Sequence, residues 1–266
     1  FKYSKRRILL PILLILTFLL ASCGTETEVV SKDSNIESTI SPTETPTPDP
    51  ASVPTNTPTP SAEPITPELT PEPTPTPASG DMAVHFLDVG QGLAIFAQSG
   101  GQNLIYDGGD RDTSRFVVSY LQQQNVETID YLISSHYDAD HLNGLIGCLN
   151  AFDVENVICA DYEHDSQTYQ SFVNTANQKG LTLQHPTVGT EFTFGTGKFT
   201  VLAPSSIDSG DSNDNSVAIK LENGQNSFIF TGDAESSSES AMCSSGINLD
   251  CDVLSLGHHG SASSTS

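Results

Sequence analysis

The chain has 266 residues, and its 33 acidic side chains against 10 basic ones give a formal net charge of −23 at pH 7. Such a balance excludes the basic footprint through which phosphate-neutralising nucleic-acid binders gain affinity. Gly-x-Ser-x-Gly, P-loop and Gly-x-Gly-x-x-Gly patterns are absent, which leaves nucleophilic-serine and nucleotide-cradle chemistry without support, and the five cysteines follow no zinc-ribbon spacing.

In chain order, Lys2, Lys5, Arg6 and Arg7 precede an apolar run over residues 8–20 and then Leu20-Ala21-Ser22-Cys23-Gly24. This reads as a secretory signal peptide closing on a bacterial lipobox, with Cys23 as the lipidated first residue of the exported protein. The rival reading, an uncleaved membrane helix, needs about 20 apolar residues and finds a core of about a dozen. The expectation is a lipoprotein held by its N-terminal lipid to the outer face of the cytoplasmic membrane, and the opening Phe1 points to a trimmed start. Residues 24–80 are dominated by Pro, Thr, Ser and Glu. No core can form from them, so they read as a stiffened, disordered tether of roughly 3 Å per residue where extended.

From Asp81 onward lies one domain's length. Five basic residues there, Arg111, Arg115, Lys179, Lys198 and Lys220, face twenty-four acids, a net of −19. Residues 84–89, 94–98 and 103–106 are predicted strands around tight glycine turns, and 113–124 a helix. A strand over 129–135 feeds His136-Tyr137-Asp138-Ala139-Asp140-His141. A helix over 142–152, a strand over 157–160 and a Ser166-capped helix over 166–179 follow. Hairpins are expected between 192–194 and 198–202 and between 217–221 and 227–230.

Three apolar strands end in potential ligands. The first delivers His136, Asp138, Asp140 and His141. The second, Phe228-Ile229-Phe230, ends in Thr231-Gly232-Asp233, and the third, Val253-Leu254-Ser255, in Leu256-Gly257-His258-His259-Gly260-Ser261. A single Asp-x-Asp turn is common, but charges repeatedly placed at buried strand ends cost several kcal/mol unless paired or metal-bound. Alternate side chains of an extended loop share a side, so His136 and Asp138 are expected on one ion and Asp140 and His141 on a second. His258 is the expected ligand from the third segment. His259, pointing the opposite way on an extended backbone, is a substitute ligand or a proton donor to the leaving group. Asp233 is the expected bridging carboxylate, and Asp140 doubles as proton acceptor.

The same segments resemble the metallo-β-lactamase superfamily and, more narrowly, the extracellular hydrolase domain of bacterial DNA-uptake competence proteins. The resemblance rests on Phe-Leu-Asp-Val-Gly-Gln-Gly at 86–92, Asp107-Gly108-Gly109, the His136–His141 segment, Thr231-Gly232-Asp233 and Gly257-His258-His259-Gly260-Ser261. Pattern and resemblance together imply a four-layer αββα sandwich holding two divalent ions, zinc or manganese with magnesium possible. Asp138, standing where the wider superfamily has a second His, makes the site richer in oxygen and favours the harder ions. Leu93 replaces the subgroup's Asp after Gly-Gln-Gly. A third ligand for the first ion has no clear counterpart: His164 and His185 read as surface or packing residues, and Asn213-Asp214-Asn215 is the better candidate or else a turn. Asp107 is expected to hold a ligating His, with Asp88 a weaker parallel, and Ser261 to lie near substrate. The resemblance also implies further elements beyond Ser266. His85 reads as a satisfied core or surface histidine and Cys148 and Cys159 as core residues, while Cys243 and Cys251 flank a short loop and are candidates to pair.

The activity expected is metal-assisted hydrolysis of a phosphodiester, most simply DNA outside the cell. A cell-wall esterase acting on teichoic-acid-type polymers and a non-catalytic binding lipoprotein are the alternatives.

Overall fold

The structure, a computed structural model, describes residues 80–208 and 210–265. The expected signal peptide, Cys23 and nearly all of the tether lie outside the described residues. Six strands form one sheet in the order of the chain: β1 (Met82–Phe86), β2 (Ile95–Ser99), β3 (Gln102–Tyr106), β4 (Thr128–Ile133), β5 (Asp153–Ile158) and β6 (Leu183–Gln184). Strands β3 to β6 run parallel, joined by the helices α1 (Arg111–Gln123), α2 (Ala139–Ala151) and α3 (Gln167–Gln178). A second sheet takes β7 (Glu191–Phe194), β8 (Gly197–Val201), β9 (Ile219–Asn223), β10 (Asn226–Phe230) and β11 (Val253–Ser255), with α4 (Ser236–Ser244) between the last two.

The period of two along the strands explains the layering. Ile95, Ala97, Leu104, Tyr106, Ile133 and Ile158 face the second sheet and pack with Phe194, Phe199, Val201, Ile219, Leu221 and Phe230. Their neighbours Phe96, Ile105, Leu132 and Val157 face the other way, into a cluster with Val117 and Leu121 of α1, Leu142 and Leu145 of α2, and Phe172 of α3. The outer face of the second sheet supplies Ala218 and Ile229, which meet Met242 of α4. The result is helix, sheet, sheet, helix. Each large apolar side chain so buried contributes about 1.5–3 kcal/mol.

Boundaries differ from the sequence reading in instructive places. β1 closes at Phe86 rather than at 89; the Leu87 N–H still bonds the Ala94 carbonyl, and Asp88-Val89 lead into the glycine loop. α2 begins at Ala139 rather than 142, so Asp140 and His141 ride on its first turn instead of an extended loop. Neither β6 nor α4 was predicted, the first being two residues long and the second a run of serines with weak helical preference. Among the described residues no helix is long and apolar enough to cross a membrane.

Candidate metal centre

Parallel strands β3, β4 and β5 all end on one edge of the sandwich, and β4 delivers the first ligands there. His136 is fully buried. Tyr137, next in line, points into the helical core, where its ring lies 4.5 Å from those of Tyr162 and Tyr169 and its hydroxyl donates to the Ala160 carbonyl. That anchor fixes the turn on which His136 and Asp138 sit. Asp138 occupies the N-cap of α2, where an aspartate usually caps the helix, yet its side chain makes no capping bond. The carboxylate instead lies 3.8 Å from His136 Nε2 and accepts from Ser212 Oγ at 3.2 Å.

Asp107, in the left-handed region at φ 58° and fully buried, organises the floor. Its carboxylate accepts from the Ser135 backbone N–H at 2.8 Å, from Ser135 Oγ at 2.7 Å and from His141 Nδ1 at 2.8 Å. Holding Nδ1 in this way turns His141 Nε2 toward Asp233, 3.2 Å from its Oδ1. Gly92 explains the Gly-Gln-Gly loop: at φ +116° an added Cβ would lie 2.2 Å from the Asp140 carbonyl oxygen, so only glycine lets the loop seat on α2. Leu93, in the place of an Asp, packs its side chain on the inter-sheet core while its N–H donates to that same carbonyl.

Asp233 enters from the end of β10, with its backbone N–H bound to Ser216 Oγ. β11 pairs parallel with β10, in the register Phe230↔Ser255, and so brings the Gly257–Gly260 turn to the same edge. There the expectation of an extended segment fails. His258 and His259 both adopt left-handed backbone, φ 46° and 54°, and neither points away from the site. Such strain in non-glycine residues costs on the order of 1–3 kcal/mol each and clusters at functional sites. His259 Nε2 lies 3.2 Å from His141 Nε2, 3.3 Å from Asp233 Oδ2 and 3.5 Å from Asp140 Oδ2. His258 Nε2 lies 3.9 Å from Asp233 Oδ2, and its Nδ1 is 2.9 Å from Glu235 Oε1.

Two groups of ligand atoms result, His136 with His141 and Asp233, and Asp140 with His141 and His259. His141 belongs to both, which divides the ligands differently from the sequence reading. Bonds of about 2.1 Å to a tetrahedral ion place neighbouring ligand atoms roughly 3.4 Å apart. Separations of 3.2–3.9 Å between Asp233 and the four imidazoles match that spacing. His136 Nε2, buried and aimed into the cluster, has no hydrogen-bond partner. An orphaned imidazole nitrogen among carboxylates is what a metal ligand looks like without its ion, and the residues present fit a divalent centre.

The electrostatics agree. Burial lowers the His141 pKa, but Asp107 and Asp233 outweigh it and push the value up to about 10. His259 is raised to about 9 by Asp140 and Asp233, and Asp140 is held down at about 2, chiefly by His259. Asp233 is desolvated, which opposes ionisation, yet His141 and His259 hold it well below the usual carboxylate range. His136 beside Asp138 lowers that carboxyl as well.

The Asn213–Asn215 segment forms a 3-10 turn beside the centre. Asn213 Nδ2 donates to Glu235 Oε1 at 3.4 Å and lies 3.5 Å from His258 Nδ1. Asp214 accepts the N–H groups of Glu235 and Ser238 and so caps α4, and Asn215 exchanges bonds with the Asp208 backbone. Ser261 closes the histidine turn, its N–H donating to the His258 carbonyl. His164 accepts from the Ser166 N–H, His185 sits against Cys159, and His85 Nδ1 lies 2.9 Å from the Tyr120 hydroxyl. Asp88 accepts from the Gly90 N–H in its own exposed turn. Cys243 and Cys251 are free thiols, as are the buried Cys148 and Cys159, whose pKa values burial raises to about 12. Sequence reasoning missed Ser135, Ser212 and Glu235. The only available signal was that each neighbours a ligand or a candidate turn, and single serines carry none.

The Metallo-beta-lactamase superfamily profile matches residues 87–266. Recombination protein 2 of Haemophilus influenzae is 31% identical over 188 residues, 69% of this chain and 22% of that protein. ComE operon protein 3 of Bacillus subtilis is 26% identical over 205 residues, covering 70% and 26%, and Competence protein ComA of Neisseria gonorrhoeae 28% over 190 residues, covering 70% and 25%. The chain therefore spans about a quarter of the length of these curated relatives.

Proposed function

The chain belongs to the metallo-beta-lactamase superfamily, and on that premise we propose that it is a surface-tethered phosphodiesterase, with DNA outside the cell as its substrate. The observation that carries the reading is the cluster of four histidines, Asp138 and Asp140 around Asp233, with the Nε2 of His136 buried, unpartnered and turned into it. When bound, two divalent ions, manganese or zinc with magnesium as a substitute, activate a water and neutralise charge on the non-bridging oxygens of a phosphodiester. His136, Asp138, His141, Asp233 and His258 would hold them, together with Asp140. Asp140, ionised and half-buried, takes the proton from the attacking water. His259, whose Nε2 lies 3.5 Å from Asp140 Oδ2 and 3.3 Å from Asp233 Oδ2, gives one to the leaving oxygen or else replaces His258 as a ligand. The oxygen contributed by Asp138 disfavours a lactamase-type zinc centre. The names of the relatives, which speak of recombination and competence, support DNA as the polymer. Localisation rests on the sequence pattern ending in Cys23, which makes the protein a lipoprotein at the bacterial surface.

A second reading, an esterase for teichoic-acid-type phosphodiesters of the cell wall, is favoured by the proline-rich tether over residues 24–80, which would hold the domain within reach of that polymer. Product release from single-stranded DNA and from bis-p-nitrophenyl phosphate, with manganese, magnesium or zinc and an Asp140→Ala control, separates the readings. Turnover of both, lost in the control, supports the nuclease. Turnover of the small ester alone transfers the assignment to the esterase. No turnover and no bound metal would reduce the protein to a binding lipoprotein on a hydrolase fold.

A further inference from the structure

We propose that the Ser135 hydroxyl is a positioning device that fixes the proton of His136 on Nδ1 and so presents a free lone pair on Nε2 to the metal centre. The inference rests on the metal-centre reading above, and concerns how this chain prepares one ligand before any ion arrives.

Ser135 Oγ lies 2.7 Å from Asp107 Oδ2 and 2.9 Å from His136 Nδ1. A hydroxyl has one proton to give and lone pairs to accept with. If that proton went to His136 Nδ1, two oxygens would face each other at 2.7 Å with no hydrogen between them, since Asp107 already receives the Ser135 N–H and His141 Nδ1 and is surrounded by donors. The hydroxyl must therefore donate to Asp107 and accept from His136, which requires a proton on His136 Nδ1. His141 Nδ1 donates to Asp107 directly. One carboxylate thus sets the orientation of two histidines, the first through a hydroxyl and the second by contact.

This is not the tautomer that the surroundings of His136 alone would choose. Its Nε2 lies 3.8 Å from Asp138 Oδ2 and 3.9 Å from Asp233 Oδ2, two carboxylates that would draw a proton onto Nε2. Instead that atom is buried and without a hydrogen-bond partner. Water cannot readily take over the part of the hydroxyl. Ser135 is fully buried, and Gly232 passes so close that an added Cβ would lie 2.5 Å from Ser135 Cβ and 2.8 Å from Oγ. Removing the hydroxyl leaves His136 Nδ1 without an acceptor, and the proton then gains by moving to Nε2, where it blocks the metal.

The test uses the full chain, stripped of metal with a chelator and labelled with ¹⁵N-histidine, at pH 8. Long-range ¹H–¹⁵N correlation reports which ring nitrogen of His136 carries the proton, with His136→Gln identifying the signals. The expected result is a protonated Nδ1 and bare Nε2 in the wild-type chain, and a shift of the proton to Nε2 in Ser135→Ala. Chelator competition should show manganese and zinc bound about 10–100-fold more weakly by that variant, while Ser166→Ala, which removes only the α3 cap, binds as the wild type does. A wild-type His136 protonated on Nε2 overturns the proposal whether or not Ser135→Ala folds. Unchanged tautomer and affinity in a folded Ser135→Ala overturns it as well. Failure of the metal-loaded chain to hydrolyse any ester would remove the proposed function and leave the tautomer result standing.

Discussion

His141 shows how the centre balances charge with and without an ion. Asp107 and Asp233 keep its imidazole protonated up to about pH 10 in the metal-free chain, against an ordinary value of 6.5. An incoming ion needs Nε2 free, so binding at pH 7 releases protons and weakens as pH falls. Titration calorimetry of manganese or zinc in buffers of different ionisation enthalpy measures that release directly, and no release would contradict the assignment. The same shift fixes the sign of a stability effect. A folded-state value above the unfolded one stabilises fully below about pH 6.5, and that contribution is lost as pH rises through about 10. The metal-free domain is accordingly expected to lose stability to urea between those limits, while Asp233, held low, contributes above its ordinary value of 3.8 and loses its contribution only in strong acid. Asp107→Asn can still contact Ser135 but no longer offers a charged acceptor to His141. Metal affinity should fall about 10–100-fold in chelator competition, and equal affinity would remove Asp107 from the site.

The elements position these residues through close backbone approach. Gly144 on α2 meets Gly108 just after β3, and an added Cβ on Gly144 would lie 1.7 Å from the Gly108 carbonyl oxygen. That contact lets the first turn of α2, with Asp140 and His141, sit against the Asp107 turn. Gly108 N–H bonds the His141 carbonyl, and Gly144 N–H bonds that of Gly109. Gly144→Ala should therefore cost about 1–3 kcal/mol or more in urea unfolding and lower metal content in whatever fraction remains folded. A loss below 1 kcal/mol would mean that the helix can slide without penalty. α4 tells the complementary story. Its sequence Ser-Ser-Ser-Glu-Ser-Ala-Met-Cys-Ser has little helical drive, and a distant carboxylate, Asp214, provides the missing cap by accepting the Glu235 and Ser238 N–H groups. The capped turn holds Glu235 where it meets His258.

Across the whole domain, five basic side chains against twenty-four acids shape the encounter with any anionic substrate. Two of the five are engaged by carboxylates, Lys198 by Glu191 and Glu222 and Lys220 by Glu222, and Lys179 donates to the Phe152 carbonyl. A field of this sign repels DNA over a Debye length of about 30 Å at 0.01 M salt and about 8 Å at 0.15 M. The kcat/KM for an oligonucleotide should then rise as salt is added over this range, the reverse of the behaviour of a basic nuclease, while that for a small diester changes little. A fall with salt for both would show that the centre's own field dominates.

How much could be read before the fold was known follows from the range of each interaction. The arrival of His136, Asp138, Asp140, His141, Asp233, His258 and His259 at one edge was legible because each follows an apolar strand within a few residues, and a strand end is a local pattern. The sandwich was legible too, since alternating apolar residues and helical periods are written within short windows. Tertiary structure alone decided that His141 stands in both ligand groups, that both histidines of the last turn face inward, and that Asp214 caps a helix twenty-odd residues away. Register between β10 and β11, left-handed backbone at His258 and His259, and the buried triangle of Asp107, Ser135 and His136 arise from contacts between segments far apart in the chain. Sequence determined which chemical groups arrive at the edge of the sheets, because strand periodicity is local. Only packing decided which of them meet, and in which proton state, because hydrogen-bond partners and burial are properties of the assembled fold.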